Sequence, residues 1–196
     1  MWVGVVINRT LILLVDVSGS MYEMGKIHLQ RHLCRYVSRV ARFQPDIYAG
    51  TEVRLYQWGE TVSLIAQQPN GDIPELQAAG SADIVALSHF LSTQPDGQNQ
   101  SLLILSDGNF SQQELLHFQQ QCAKSPTVRV RAVAVGADAD LLTLRKMATN
   151  DTVYLAEDIS QAMNSALLEA DVPFAPPVPA RLFPLDLDEE EDNWDA

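Results

Sequence analysis

Hydrophobic positions along the chain follow two rhythms. Continuous apolar runs of strand length occur at residues 10–16 (TLILLVD) and 101–106 (SLLILS), and 128–136 (VRVRAVAVG) reads as a third buried strand, half-alternating at its start. An unbroken run of this length marks a strand covered on both faces rather than one with a wet side. Between the runs the spacing becomes helical. Ile27, Cys34, Val37 and Ala41 fall on one stripe of a helix predicted from Gly25 to Phe43. Two shorter strands are predicted at 51–57 and 61–66, joined around Gly59 by a hairpin-length connection. A loop rich in Gln, Pro, Gly and Asp covers 67–80, and a short helix is predicted over 82–92. After the second run, Ser111 and Glu114 have the spacing of a capping box, with Phe110 placed to staple onto Leu115. A helix at 139–148, a strand at 152–156 and a helix at 159–169 complete the series, while Val3 to Ile7 reads as an extra edge strand or a disordered start.

Strands alternating with helices give a doubly wound, mostly parallel α/β sheet of about six strands with helices on both faces. In such sheets ligands bind outside the carboxyl ends of the strands, where the strand order reverses. The first and second apolar runs end in Asp16 and Asp107, so both carboxylates are expected on one rim.

Composition refines this picture in three places. A length of 196 residues and a hydrophobic content of 46% suit one domain, residues 1–170, with an appendage, residues 171–196. The formal charge of −12 is concentrated in that appendage, which carries −7 and leaves −5 for residues 1–170. Five of the ten prolines lie in 172–184, favouring an extended course, and LDLDEEEDNWDA follows, with Leu185, Leu187 and Trp194 as its apolar points. Such a segment is expected to be disordered alone, and it is a candidate docking segment. Cys34 and Cys122 sit in predicted helices without a Cys-x-x-Cys pair, and read as free thiols of a reducing compartment, with one long-range disulfide the alternative.

Arg9 interrupts the first apolar stretch, no basic leader precedes it and no small-residue cleavage site follows. No run approaches the ~18 apolar residues of a membrane span. The expectation is a cytoplasmic protein with no membrane partner. The absence of a basic stripe with interleaved aromatics argues equally against nucleic acid.

The chemistry concentrates in DVSGSM, residues 16–21. Asp, Ser and Gly after a strand also make ordinary turns and helix caps. Yet Asp16, Ser18 and Ser20 alternate, and an extended turn would point all three side chains at one locus. A carboxylate and two hydroxyls are hard oxygen ligands that suit Mg²⁺ or Mn²⁺ rather than zinc or copper. Asp107 could join them directly or through water. His28 and His32, spaced i, i+4, have no nearby acid or cysteine to complete a metal set and read as a solvated helix face. There is no Gly-x-Ser-x-Gly elbow and no phosphate-cradling loop ending in Lys. The enzyme alternative is Mg²⁺-dependent phosphoryl transfer with Asp16 as nucleophile. It needs a second carboxylate where this chain has Ser18, and a lysine placed to neutralise the phosphoryl group.

LLVDVSGSM followed by a long helix, then LILSDG and VRVRAVAVG, resembles the von Willebrand factor A domain over about residues 10–170. The late stretch LLTLRKMATNDTVYLAEDISQAMNSAL resembles the last helix–strand–helix of that fold. The resemblance implies a metal-ion-dependent adhesion site with Asp16, Ser18 and Ser20 as one ligand loop and Asp107 as another. It also implies a non-catalytic adaptor that binds a partner's carboxylate, in company with AAA+ ATPases of the MoxR kind or other members of a multi-protein system. A scaffold with a vestigial site, acting through its acidic tail, is the remaining alternative. The family's third loop usually supplies a threonine. Here the corresponding stretch is AAGSADIVAL, with Ala82 at that position, Ser81 before it and Asp83 after it. Either neighbour, or water, is then the expected substitute.

Overall fold

The first apolar run becomes β1 (Arg9–Asp16), the strand around which the sheet is built. The structure, a computed structural model, describes residues 9–68, 71–94, 100–124 and 128–168. The Val3–Ile7 stretch and the acidic segment 171–196 lie outside the described residues. After β1 come α1 (Lys26–Phe43), α2 (Pro45–Tyr48), β2 (Thr51–Trp58), β3 (Val62–Leu64), α3 (Ile84–Ser92) and β4 (Gln100–Ser106). The series continues with α4 (Gln112–Lys124), β5 (Arg129–Ala134), α5 (Leu141–Met147), β6 (Val153–Leu155) and α6 (Ile159–Leu167).

The strands form one sheet in the order β3-β2-β1-β4-β5-β6. All described pairs are parallel except the β2–β3 hairpin, where Trp58 faces Val62. Leu13 pairs with Leu55 on one side and Leu103 on the other, and Val15 pairs with Leu105, so β1 and β4 end level. The chain winds away from β1 in opposite directions on its two sides. The β1/β4 junction is therefore the crevice where such sheets bind ligands.

Alternation along β1 divides the core. Leu11, Leu13 and Val15 pack with Leu33, Cys34 and Val37 of α1 and with Met163 and Ala166 of α6. Ile12 and Leu14 pack on the other side with Ile84 and Leu87 of α3, Phe118 of α4 and Leu144 of α5. Each of these side chains contributes roughly 1.5–3 kcal/mol by leaving water, which is why β1 has no polar position between Thr10 and Asp16.

Several boundaries differ from the sequence expectation, for local reasons. Helix α3 begins at Ile84 because the Asp83 carboxylate caps it, accepting from the Val85 and Ala86 amides. Asp140 does the same for α5, accepting from Leu142 and Thr143. Strand β3 is shorter than 61–66 and carries an exposed Leu64, as edge strands tend to be short. The capping box at α4 forms in both directions, Ser111 N to Glu114 Oε2 at 3.0 Å and Glu114 N to Ser111 Oγ at 3.3 Å. His28 and His32 are exposed on α1, and among the described residues no group of three His, Cys, Asp or Glu could hold a metal. Cys34 and Cys122 are free and pack on opposite faces of the sheet, which excludes the disulfide alternative. Among the described residues no helix is long and apolar enough to cross a membrane.

Candidate metal centre

β1 delivers Asp16 fully buried at the carboxyl end of the sheet. The chain then stays extended at Ser18, whose amide turns back to donate to Asp16 Oδ1 at 2.8 Å. Ser18 and Ser20 point the same way, with their hydroxyl oxygens 3.1 Å apart. Met21, fully buried against the α1 face of the core, anchors the far end of the loop. The other carboxylate oxygen, Asp16 Oδ2, accepts from Ser106 Oγ at 2.6 Å across the β1/β4 crevice. Ser106 Oγ in turn accepts from the Gly108 amide at 3.0 Å. Burial pushes the Asp16 carboxyl above the ordinary aspartate range, against the hydrogen bonds from Ser106 and Ser18 that favour its ionised form.

The second loop holds a group that the sequence did not advertise. Asp107 follows β4 and is buried, with Oδ2 accepting from Lys26 Nζ at 2.9 Å. Lys26 opens α1 with only 2% of its surface exposed, and the same ammonium donates to Asp138 Oδ2 at 2.8 Å. Burial works against the charged lysine, but the bonds to Asp138 and Asp107 outweigh it, so its pKa lies above the ordinary lysine value. The bond from Lys26 holds the Asp138 carboxyl below the usual aspartate range. Gly136 makes room for this arrangement. Its φ is +101°, and a Cβ there would stand 2.6 Å from Lys26 Cδ and 2.6 Å from Asp138 Oδ1.

The third loop runs beside the first. Ala79 N donates to Val17 O at 2.8 Å, and Gly19 N donates to Gly80 O at 2.9 Å. Ala82 is buried in the α3 side of the core, Ser81 is exposed, and the Asp83 carboxylate is engaged as the α3 cap. The Asp83 backbone is fixed as well, donating to Gly59 O at 2.9 Å and accepting from Trp58 Nε1 at 2.8 Å.

Asp16, Ser18 and Ser20 therefore meet, with Asp107 on the same rim but paired to an ammonium. Ser106, Lys26 and Asp138 complete the cluster and were not read from the sequence. Ser106 looked like the last strand residue, and Lys26 and Asp138 became recognisable only once the topology set a helix start against two strand ends. The donor set fits a hard divalent cation. Among the described residues the Asp16 carboxylate meets only neutral donors. Three carboxylates and one ammonium leave a formal charge of −2 at the rim. Asp16, Ser18 and Ser20 would hold such an ion, which would act as a Lewis acid for one further oxygen ligand.

No family model matches the sequence, and no match is found among curated proteins. Solved structures do resemble it. Proximal thread matrix protein 1 of the mussel byssus, in a form with a zinc-occupied MIDAS motif, matches with TM-score 0.59 and 14% identity over 82% of this chain and 47% of that one. The ArnB paralog VWA2 from Sulfolobus acidocaldarius matches with TM-score 0.56 and 17% identity over 81% of this chain and 44% of its own. A von Willebrand factor type A structure from Catenulispora acidiphila gives TM-score 0.57 and 16% identity over 81% and 41%. The chain spans less than half the length of each of these proteins. With this strand order and the serine-bearing loop at the end of β1, the chain has the fold of a von Willebrand factor A domain.

Proposed function

We propose that this protein is a non-catalytic interaction module that captures a partner's carboxylate through a Mg²⁺-type ion held by Asp16, Ser18 and Ser20. One observation carries the reading. Asp16 is a fully buried carboxylate without a cationic partner among the described residues, and two hydroxyls converge beside it. The surroundings support a protein partner. Tyr22 and Met24 are 78% and 79% exposed in the turn that follows Ser20, and Leu142 stands exposed where α5 begins on the same rim. Aromatic residues and methionine are enriched at protein interfaces, so a metal-bound carboxylate would fix orientation while these side chains supply contact area. A cytoplasmic adaptor beside an AAA+ ATPase of the MoxR kind is the assembly this reading favours.

Phosphoryl transfer gains nothing from the geometry. Lys26, the lysine at the site, is bonded to Asp107 and Asp138 rather than to Asp16. The test is calorimetric titration with Mg²⁺, followed by affinity capture with Mg²⁺ or EDTA. Asp16→Ala should weaken the metal by at least ~100-fold and Ser18→Ala by ~10-fold, since losing even an outer-shell partner costs 10–100-fold. Equal metal affinity in wild type and Asp16→Ala, or captured partners indifferent to EDTA, refutes the reading.

A further inference from the structure

The end of α1 remote from the metal centre carries a second surface. His32, Arg35, Arg39 and Arg42 are spaced by three, four and three residues, which places them on one stripe of the helix. Together with the segment around Asp72 they line a groove of about 720 Å³. It adjoins a shallower hollow of about 380 Å³, where Tyr36, Val40 and Phe43 lie between the arginines, so α1 does carry a basic stripe with aromatics, contrary to the sequence expectation of none. Arg35 is paired with Asp72, Nη2 to Oδ2 at 2.9 Å. Arg39 and Arg42 are exposed and have no carboxylate partner among the described residues. Phe43 is 71% exposed, with the Arg42 guanidinium 5.6 Å from its ring centre. Unneutralised arginines around an exposed aromatic are unexpected on a domain whose residues 1–170 carry −5. They call for an acidic ligand with apolar points.

From these observations we infer that residues 186–195 of the same chain dock into this groove. That segment holds seven acidic residues, with Leu187 and Trp194 among them. Its point of departure is suitably placed. Tyr36 of α1 bonds Ser160 at the start of α6, and Tyr48, just beyond α1, bonds Asn164 near the end of α6 at 2.6 Å. The two helices therefore run side by side in the same direction, and the chain leaves α6 beside the end of α1 that carries Phe43. Residues 169–185 then supply up to ~50 Å of extended chain at ~3.1 Å per residue, ample for a domain with a radius of gyration near ~15 Å. Arg42 lies about 24 Å along α1 from Lys26 at 1.5 Å per residue. Docking there leaves the metal centre open, so this inference does not rest on the proposed metal function.

The experiment uses the full chain, ¹⁵N-labelled, with the amides of 186–195 assigned. In wild type these signals should be displaced from random-coil positions, and in Arg39→Glu/Arg42→Glu they should return to them. High salt should have the same effect, since exposed charge pairs are screened. Cleavage by a glutamate-specific protease within 189–191 should become about tenfold faster in the double variant, the size expected for losing two exposed ion-pair sites. Arg39→Gln/Arg42→Gln should give an intermediate result, and thermal unfolding should confirm that both variants remain folded. Random-coil signals in wild type, or identical signals in wild type and the charge-reversed variant, overturn the inference. Displacement that disappears on dilution also overturns it, because the occupant would then be the segment of a second copy.

Discussion

Lys26 is the side chain whose removal should be felt most clearly. In Lys26→Met the aliphatic stem is largely kept, so the loss is electrostatic and not a cavity. Breaking a buried pair by deleting one member costs about 3–5 kcal/mol when the remaining charge stays sealed from water. Here the two carboxylates differ. Asp138 is 42% exposed and rehydrates, whereas Asp107 is 5% exposed and keeps an uncompensated charge. The expected cost is therefore about 2–4 kcal/mol, below the full figure, and at about 2–4 °C per kcal/mol it corresponds to a fall in Tm of roughly 5–15 °C. Urea unfolding in EDTA measures it without interference from bound metal. Asp107→Asn removes the stranded charge, so the double variant Lys26→Met/Asp107→Asn should recover most of the loss. The cycle should then show a coupling of about 2 kcal/mol, within the range for residues in one ion-pair network. Stability within about 0.5 kcal/mol of wild type for Lys26→Met, or strictly additive effects, would show that the ammonium does not neutralise Asp107.

Two further outcomes follow from the same structure. Gly136→Ala should destabilise by about 2–3 kcal/mol in urea unfolding, because the left-handed backbone alone costs an L residue roughly 1–2 kcal/mol and the new methyl collides with Lys26 and Asp138; an unchanged midpoint would show that the loop 136–138 yields freely. Burial pushes the Cys34 thiol up to about 12 and the Cys122 thiol up to about 11, so neither should react with a thiol reagent near pH 8 until the protein is denatured, and prompt labelling of Cys34 in the native state would contradict its placement.

Most of the fold was legible because its signals are contiguous. TLILLVD and SLLILS are buried on both faces, and an unbroken apolar run reports that directly. The helix stripe from Ile27 to Val37 and the capping box at Ser111 are likewise local patterns. Helix starts were less legible, for a chemical reason. Asp83 and Asp140 each end up accepting two backbone amides of their own helix. An aspartate beside a suspected metal loop looks the same in sequence whether it caps or ligates. In the structure the Asp83 carboxylate is taken by the Val85 and Ala86 amides, and Ala82 is packed into the core.

The candidate metal centre divides along the same line. Asp16, Ser18 and Ser20 could be read together because one extended turn brings them together, with no help from the rest of the chain. Ser106 contacts Asp16 across 90 positions, and Lys26 reaches Asp107 and Asp138 across 81 and 112. Contacts at such separations depend on strand order, which hydrophobic periodicity does not encode. Lys26 was the hardest to foresee, since lysine is almost never buried unless paired and both partners come from loops that follow later strands. Its burial nonetheless has a clear physical cause. Asp107 is carried out of water by β4 whether or not a metal is present, and an ionised carboxylate there requires a counter-charge that belongs to the fold. Asp16, held by neutral donors alone, has none among the described residues. The rim thus presents one carboxylate neutralised from within and one without a counter-charge among the described residues, and under the proposed function this asymmetry makes Asp16 rather than Asp107 the residue on which metal binding should depend.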